Sequence, residues 1–232
     1  MDNKQWPAKT IVPIAQPGLK FICITILITG MLFYFGWMLA AMIGFMLTVF
    51  VVWFFRDPER IPPNDTNSLI SPADGRVMIV ESQHECEYLR GPCIKVSIFM
   101  NVFNVHVNRM PFNGIVKKVI YHPGKFMNAS FDNASTQNER NALIIDAENG
   151  QKFAVVQIAG LIARRIVNCA NEGDRLAKGD RYGMIQFGSR LDLYLPEDFE
   201  ISVKVGHKTT AGSTTIGFMK QTGKNAETNG LA

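Results

Sequence analysis

A run of 35 residues without a charge, from Phe21 to Phe55, constrains the fold of this chain more than any other feature. A helix that crosses a bilayer needs about 20 apolar residues, so the run is too long for one ordinary span and slightly short for two. Two short helices that turn near Gly36 and Trp37 fit best, and one long tilted helix is the alternative. The run is too long for a cleavable signal peptide, and no small-residue cleavage site follows it.

Basic residues lie at both ends of this run. Lys4, Lys9 and Lys20 precede it, and Arg56 and Arg60 follow it. Because basic flanks stay on the cytoplasmic side, this symmetry favours a hairpin in the cell membrane with both of its ends in the cytoplasm.

The formal net charge of the whole chain is +4. A modest basic excess beside a membrane segment suits an anionic lipid surface, and it is too small and too dispersed for nucleic-acid binding. The four cysteines form no CxxC pair. We therefore expect no metal site and no disulfide framework, and a reducing compartment is the default.

The rest of the chain has the pattern of a β protein. A segment rich in Pro, Asp and Asn, residues 56–75, reads as a turn-filled linker. Short apolar runs separated by turn signals follow, among them a hairpin with Asn-Gly at its tip in "DAENGQKFAVVQ". We expect an N-terminal segment, residues 1–55, with a membrane helix or helical hairpin at about 20–55. One mainly β domain, residues 56–232, then forms a compact sandwich or barrel-like sheet.

Two Gly-Ser pairs interrupt these β-like runs. Gly188-Ser189 lies in "GMIQFGSRLDLYLP" and Gly212-Ser213 lies in "TTAGSTTIG". Glycine in a strand often marks only a bulge or a close backbone approach. A serine that follows glycine is also sterically open to attack the carbonyl before it, because glycine allows strained backbone conformations.

Two more side chains are candidates for chemistry. His106 is predicted in the middle of an alternating strand, with Asn104 and Asn108 on the same polar face. Asp74 lies in the turn "SPADG" before a strand, although Asp-Gly is also an ordinary turn pair. The common hydrolase and nucleotide-binding motifs are absent from the sequence.

Six motifs, taken in order, resemble the phosphatidylserine decarboxylase family, and most closely its short bacterial type. They are "FFRDPERIPP", "SPADGRV", "FMNVFNVHVNRMPFNG", "NERN", "QIAGLIARRIV" and "MIQFGSRLDLYLP". The likeness covers the chain from about Arg56 to the C-terminus, and the hydrophobic N-terminal run also suits it.

The resemblance implies a proenzyme that cuts itself between Gly188 and Ser189. Residues 1–188 would become the β chain and residues 189–232 the α chain. Ser189 would become a pyruvoyl group, the covalent cofactor, which forms a Schiff base with the amine of phosphatidylserine and accepts electrons as CO₂ leaves. The product would be phosphatidylethanolamine.

The resemblance also implies a catalytic set of Asp74, His106 and Ser189. The longer family type has a second histidine where this chain has Arg109, so either His106 takes both roles or another group activates Ser189. Arginine stays charged and cannot act as a base at neutral pH, but it can orient a carboxylate or hold a phosphate. His122 is the reserve base. Ser213 is the alternative cleavage site, although its context matches the C-terminal hairpin of the family.

Three alternatives stay open at this point. The lipid backbone is not specified, so an ether-lipid decarboxylase of the archaetidylserine type would use the same site. A non-enzymatic β domain tethered to the membrane, in which the chain stays whole, is the rival from another class. Homo-oligomerisation is neither indicated nor excluded.

Overall fold

The computed structural model describes residues 13–131, 134–161, 165–186 and 189–219 of the chain.

Two antiparallel helices occupy the uncharged run. After a short 3-10 turn, Gln16–Gly18, helix α1 covers Leu19–Tyr34 and helix α2 covers Met38–Phe54. Gly36 turns the chain between them with a φ of 75°, a left-handed conformation that favours glycine. Only the stretch Gln16–Tyr34 is both long and apolar enough to cross a membrane among the described residues, and one such helix is weak evidence of a membrane segment.

Fourteen strands and one short helix follow in the described part of the chain. The strands are β1 (Ser68–Ile70), β2 (Gly75–Gln83), β3 (Cys93–Met100), β4 (Val107–Arg109), β5 (Gly114–His122), β6 (Arg140–Ala147), β7 (Lys152–Ala159), β8 (Arg165–Asn168), β9 (Arg175–Leu176), β10 (Arg181–Gln186), β11 (Ser189–Pro196), β12 (Phe199–Ile201), β13 (Lys208–Thr209) and β14 (Thr215–Met219). The short helix α3 is Ala134–Gln137.

The strands form one large sheet and two small ones, and the strand pairs are antiparallel. The large sheet has the order β13-β2-β3-β11-β7-β6-β5-β9 and curls into a half-barrel. The small sheets have the orders β1-β14-β12 and β4-β10-β8. The predicted mainly β fold with an N-terminal apolar helix is confirmed.

Strand β11 runs through the middle of the large sheet, between β3 and β7, and alternates its side chains between two buried faces. Leu191, Leu193 and Leu195 point into the main core, and Tyr194 packs with Tyr88 in a second core on the other face. Full burial of a large apolar side chain stabilises the fold by about 1.5–3 kcal/mol, so β11 is held firmly from both sides.

The C-terminal end of α2 packs on the small sheet β4-β10-β8. Phe54 and Phe55 are fully buried there with Val107, Val167 and Met184. The helical hairpin is therefore in direct contact with the β domain. The domain boundary after residue 55 stays a prediction.

One predicted strand is wrong at its beginning. Residues 103–106 do not extend β4, so His106 lies just before that strand and not within it. The backbone N–H of Asn101 donates to Oδ1 of Asn104 at 2.9 Å, and the N–H of Phe103 donates to Oδ1 of Asn101 at 2.9 Å. Asparagine side chains that bind nearby backbone groups compete with strand formation, which explains the turn.

Candidate functional site

Residues 101–106 connect β3 to β4, and both strands that flank residues 187–188 contact this stretch of the chain. Ser189, the first residue of β11, pairs with Met100, the last residue of β3. The N–H of Ile185 in β10 donates to the carbonyl of His106 at 3.3 Å. The bond predicted to be cut is therefore at the edge of the described residues, beside the segment that carries His106. Gly188 itself lies outside the described residues.

Ser189 begins β11 and is fully buried on the concave face of the large sheet. Its backbone is fixed on both sides, by Met100 of β3 and by Ala159 of β7. Its hydroxyl lies 3.9 Å from Sδ of Met100, its described partner. A thioether is a weak acceptor, so no strong hydrogen bond within the described residues restrains the Ser189 hydroxyl.

Buried amides continue from Ser189 across the concave face. Nδ2 of Asn108 lies 3.8 Å from the same Met100 sulfur, and Nε2 of Gln157 donates to Oδ1 of Asn108 at 2.9 Å. Nδ2 of Asn141 lies 3.5 Å from Oε1 of Gln157. This polar strip satisfies groups that burial would otherwise penalise.

His106 is fully buried against the ring of Phe54, with ring centroids 4.3 Å apart. Its Nδ1 lies 2.9 Å from the carbonyl oxygen of Asn104, which can only accept, so Nδ1 carries the hydrogen and Nε2 is the basic atom of the neutral ring. The pKa of His106 is lowered to about 4, chiefly by burial and to a smaller extent by the charge of Arg56, against the raising effects of the Asn104 hydrogen bond and the Asp74 charge. The imidazole is therefore neutral at physiological pH.

Asp74 is bound by an arginine that the sequence analysis did not connect with it. Its carboxylate accepts bonds from both terminal nitrogens of Arg60 and from the backbone N–H of Ala211 at 2.8 Å. No described hydrogen bond joins Asp74 to His106 or to Ser189, and Asp74 acts on the imidazole only through its charge. The structure thus brings His106 close to the predicted cut and places Asp74 at longer range.

Arg109 is tied into the fold. Its guanidinium donates to the carbonyl oxygens of Gly179 at 3.0 Å and Pro58 at 2.9 Å, and it lies 3.3 Å from a carboxylate oxygen of Asp57. Arg181 binds the other oxygen of Asp57 at 2.6 Å. Arg109 therefore orients a carboxylate, one of the two roles considered for it. The predicted linker, residues 56–75, is wrong at its end, because Ser68–Ile70 form β1 and Gly75 begins β2. Residues 56–67 have the expected irregular structure, yet their charges pair with the β domain.

The second Gly-Ser pair forms a turn beside Asp74. Gly212 has a φ of 77°, and a Cβ atom there would lie 2.7 Å from Cδ of Arg109. Its N–H donates to the carbonyl of Ser71 at 2.8 Å. The positive φ and the close approach of Arg109 explain why position 212 is a glycine, without any cleavage at Ser213.

The face of β11 opposite to Ser189 carries a buried ion pair. Arg190 and Asp192 are fully buried, and Nε of Arg190 donates to the carboxylate of Asp192 at 2.6 Å. Nη2 of Arg190 also donates to the hydroxyl of Ser97 at 2.9 Å, and Lys95 lies 3.8 Å from Asp192. This pair ties the strand that follows Ser189 to its neighbour β3. In the sequence, Arg190 and Asp192 are two positions apart in a strand-like run, which is the signal that could have predicted this ion pair.

The described residues contain no group of three or more metal-ligating side chains. Cys23, Cys86, Cys93 and Cys169 form no disulfide with one another.

Comparison with known proteins identifies the family. A family model described as phosphatidylserine decarboxylase matches residues 47–217. A phosphatidylserine decarboxylase proenzyme from Geotalea uraniireducens is 47% identical over 207 residues, which cover 89% of this chain and 97% of that protein. Proteins with the same name from Syntrophus aciditrophicus and Desulfotalea psychrophila are 46% and 45% identical, over 88% and 89% of this chain and 96% of each relative. The resemblance seen in the six motifs is confirmed, and the non-enzymatic alternative is removed.

Proposed function

Because the chain belongs to the phosphatidylserine decarboxylase family, an enzyme family that converts phosphatidylserine to phosphatidylethanolamine, we propose that it becomes active by cutting itself between Gly188 and Ser189. The observation that carries this proposal is the contact of both flanking strands with the segment before β4: Ser189 pairs with Met100, and the N–H of Ile185 donates to the carbonyl of His106. The hydroxyl of Ser189 makes no strong hydrogen bond to the described residues, and it lies near the segment that holds a neutral, buried His106. The word proenzyme in the names of the relatives agrees with a cut chain.

The proposed cut uses only atoms of this chain and one water. Nε2 of His106 accepts the proton of the Ser189 hydroxyl, and the oxygen attacks the carbonyl carbon of Gly188, so that the peptide bond becomes an ester. Loss of the Cα proton of Ser189 breaks the Cβ–O bond. This step leaves a carboxylate on Gly188 and dehydroalanine at position 189. Water then replaces the nitrogen, which leaves as ammonia, and a pyruvoyl group caps residues 189–232.

The surroundings of Ser189 fit such a group. Both neighbours of β11 stay paired with it along most of its length, so the strand remains in the sheet after its N-terminal bond is broken. The ion pair of Arg190 with Asp192 holds the strand from the reverse face. A pyruvoyl group supplies a ketone carbonyl that condenses with the substrate amine and withdraws electrons as CO₂ leaves.

We assign distinct roles to the residues around it. His106 accepts and returns protons at Nε2, and the apolar contact with Phe54 keeps water away from the ring. The charge of Asp74, fixed by Arg60, counteracts the loss of basicity that burial causes. The substrate is a phospholipid, and the chain works at the cytoplasmic side of the cell membrane, to which the helical hairpin α1–α2 attaches it. The lipid backbone, ester or ether, is not specified by these residues.

Full-length protein with Ser189→Ala or Ser213→Ala tests the site of the cut on a denaturing gel. We expect Ser189→Ala to remain a single chain and Ser213→Ala to separate into two chains like the wild type. His106→Ala should slow the cut by about a hundredfold or more, the usual contribution of a general base, whereas His122→Ala should not. A Ser189→Ala chain that is still cut would contradict the proposal.

A further inference from the structure

We infer that the guanidinium of Arg56 binds the phosphodiester of the phospholipid substrate, an inference that rests on Ser189 as the reacting residue. Arg56 follows the last turn of α2, at the end of the hairpin where the chain enters the β domain. Its guanidinium stacks 4.6 Å from the ring of Trp53, whose side chain is 51% exposed. Tryptophan and arginine at the end of an apolar helix are typical of the level of lipid headgroups.

Arg56 differs from the arginines around it because it forms no salt bridge with a carboxylate among the residues that the structure describes, and Asp74 acts on it only through its charge. Arg60 binds Asp74, Arg109 binds Asp57, and Arg181 binds both Asp57 and Glu59. Arg56 donates only to two backbone carbonyls, Trp53 at 2.9 Å and Phe103 at 2.6 Å. A guanidinium has five N–H donors, so donors and a full charge remain for an anion.

The binding of Arg56 to residues 101–104 sets it next to the catalytic histidine. Nη2 of Arg56 uses the carbonyl of Phe103, and Nδ1 of His106 uses the carbonyl of the next residue, Asn104. The asparagine bonds within this turn fix the two carbonyls relative to one another. The cation and the base are therefore held by adjacent peptide units.

The substrate needs a cation close to the reacting residue. In phosphatidylserine two carbon atoms separate the phosphodiester oxygen from the amine that must reach residue 189. A cation adjacent to His106 can hold the phosphate while the amine lies at the reacting carbonyl. Arginine suits a phosphodiester because its planar fork binds two oxygens together.

The phosphate is a better partner for Arg56 than the carboxylate of the substrate. The carboxylate loses its charge as CO₂ leaves, so a cation bound to it would stabilise the ground state more than the transition state and would slow the reaction. The phosphate keeps its charge throughout. A cation bound to it lowers KM without opposing the chemical step.

Arg56→Gln and Arg56→Lys, with Lys20→Gln as the matched control, test this inference in the full chain. Lys20 is an exposed cation at the same end of the hairpin, on α1, with no described contact to residues 101–104. The substrate is short-chain phosphatidylserine in neutral detergent, and rates are divided by the amount of cut chain. We expect Arg56→Gln to raise KM about tenfold or more, with a smaller change in kcat, because a hydrogen bond to a charged group contributes that much. Arg56→Lys should recover part of the loss, and Lys20→Gln should stay within about twofold of the wild type.

A binding measurement separates this inference from the proposed reaction. Calorimetry with soluble glycerophosphoethanolamine, the headgroup of the product, requires no turnover, and Arg56→Gln should weaken its binding by the same factor. Unchanged KM and unchanged headgroup affinity in Arg56→Gln would overturn the inference. So would a defect confined to vesicles of anionic phosphatidylglycerol, since Arg56 would then serve only the membrane surface. Failure of the wild type to cut itself would instead contradict the proposed function, while the calorimetry would still test Arg56.

Discussion

The imidazole of His106 is enclosed by the end of α2 on one side and by the turn of residues 101–104 on the other. Burial makes its charged form costly, which lowers its pKa to about 4. A neutral ring with a hydrogen on Nδ1 is the form that accepts a proton at Nε2. Burial therefore keeps the imidazole in the neutral form that can act as a base, and it makes the folded protein less stable in acid.

The stability of the protein should report this low pKa. An unfolded histidine has a pKa of about 6.5, so between pH 6.5 and about 4 the unfolded state binds a proton that folded His106 does not. The stability that neutral His106 contributes is complete above pH 6.5 and is lost as the pH falls towards 4. With Ser189→Ala in both proteins to keep the chain whole, we expect the protein with His106 to lose about 2 kcal/mol more between pH 7.5 and 5.0 than the one with His106→Gln, roughly 5 °C in melting temperature in detergent. Equal losses in the two proteins would mean that the ring is not held neutral.

The sequence offered candidate reacting side chains but not their partners. Ser189, His106 and Asp74 were predicted because short motifs surround them, and their roles stay a prediction. The partner of Asp74 is Arg60, which the linker brings back from 14 residues earlier. The partner of Arg109 is Asp57, 52 residues away. Such pairs depend on how distant segments meet, and no local pattern contains that information.

At the scale of the elements, alternation and turn chemistry predicted most strands correctly. The hairpin of β6 and β7 follows from its Asn-Gly tip, where Gly150 has a φ of 84°. Alternation failed at residues 103–106, because asparagine side chains form a turn there. Alternation also gives no sign that the β-like runs before and after the predicted cut belong to different sheets. They are β10, in a small sheet, and β11, in the large sheet.

The buried ion pair on β11 gives a prediction about this element. Asp192→Asn leaves the buried cations Arg190 and Lys95 without their shared carboxylate. Removal of one partner from a buried pair costs about 3–5 kcal/mol. We expect denaturant unfolding to show a loss of this size. Glu148→Gln, which removes an exposed pair with Arg175, is the control and should cost about 0–1 kcal/mol. Similar losses in both variants would show that the pair on β11 contributes no more than a surface contact.

At the scale of the whole molecule, the hairpin and the β domain form a continuous structure around the site. The N–H of Ala15 donates to the carbonyl of Phe55 at 2.7 Å, so the start of α1 and the end of α2 lie together on the β domain. Tyr34 and Trp37 are exposed at the opposite end, where aromatic rings suit a membrane interface. In the proposed membrane orientation, Arg56 lies at the end of the hairpin that meets the β domain.

A hairpin places both ends of the chain on one side of the membrane. We therefore expect protease added to intact spheroplasts to leave the β domain and a C-terminal tag whole, and to digest both after lysis. A periplasmic protein that is digested without lysis serves as the control. Digestion of the tag in intact spheroplasts would reverse the proposed orientation.

The intact mass of the purified protein under denaturing conditions tests the central claim most directly. The account predicts a C-terminal chain of the 44 residues 189–232 with a pyruvoyl group at its N-terminus, which Edman sequencing cannot read. A chain of the 20 residues 213–232 would keep the chemistry and move the cut to Ser213. A single chain of 232 residues in a protein that decarboxylates phosphatidylserine would contradict the account.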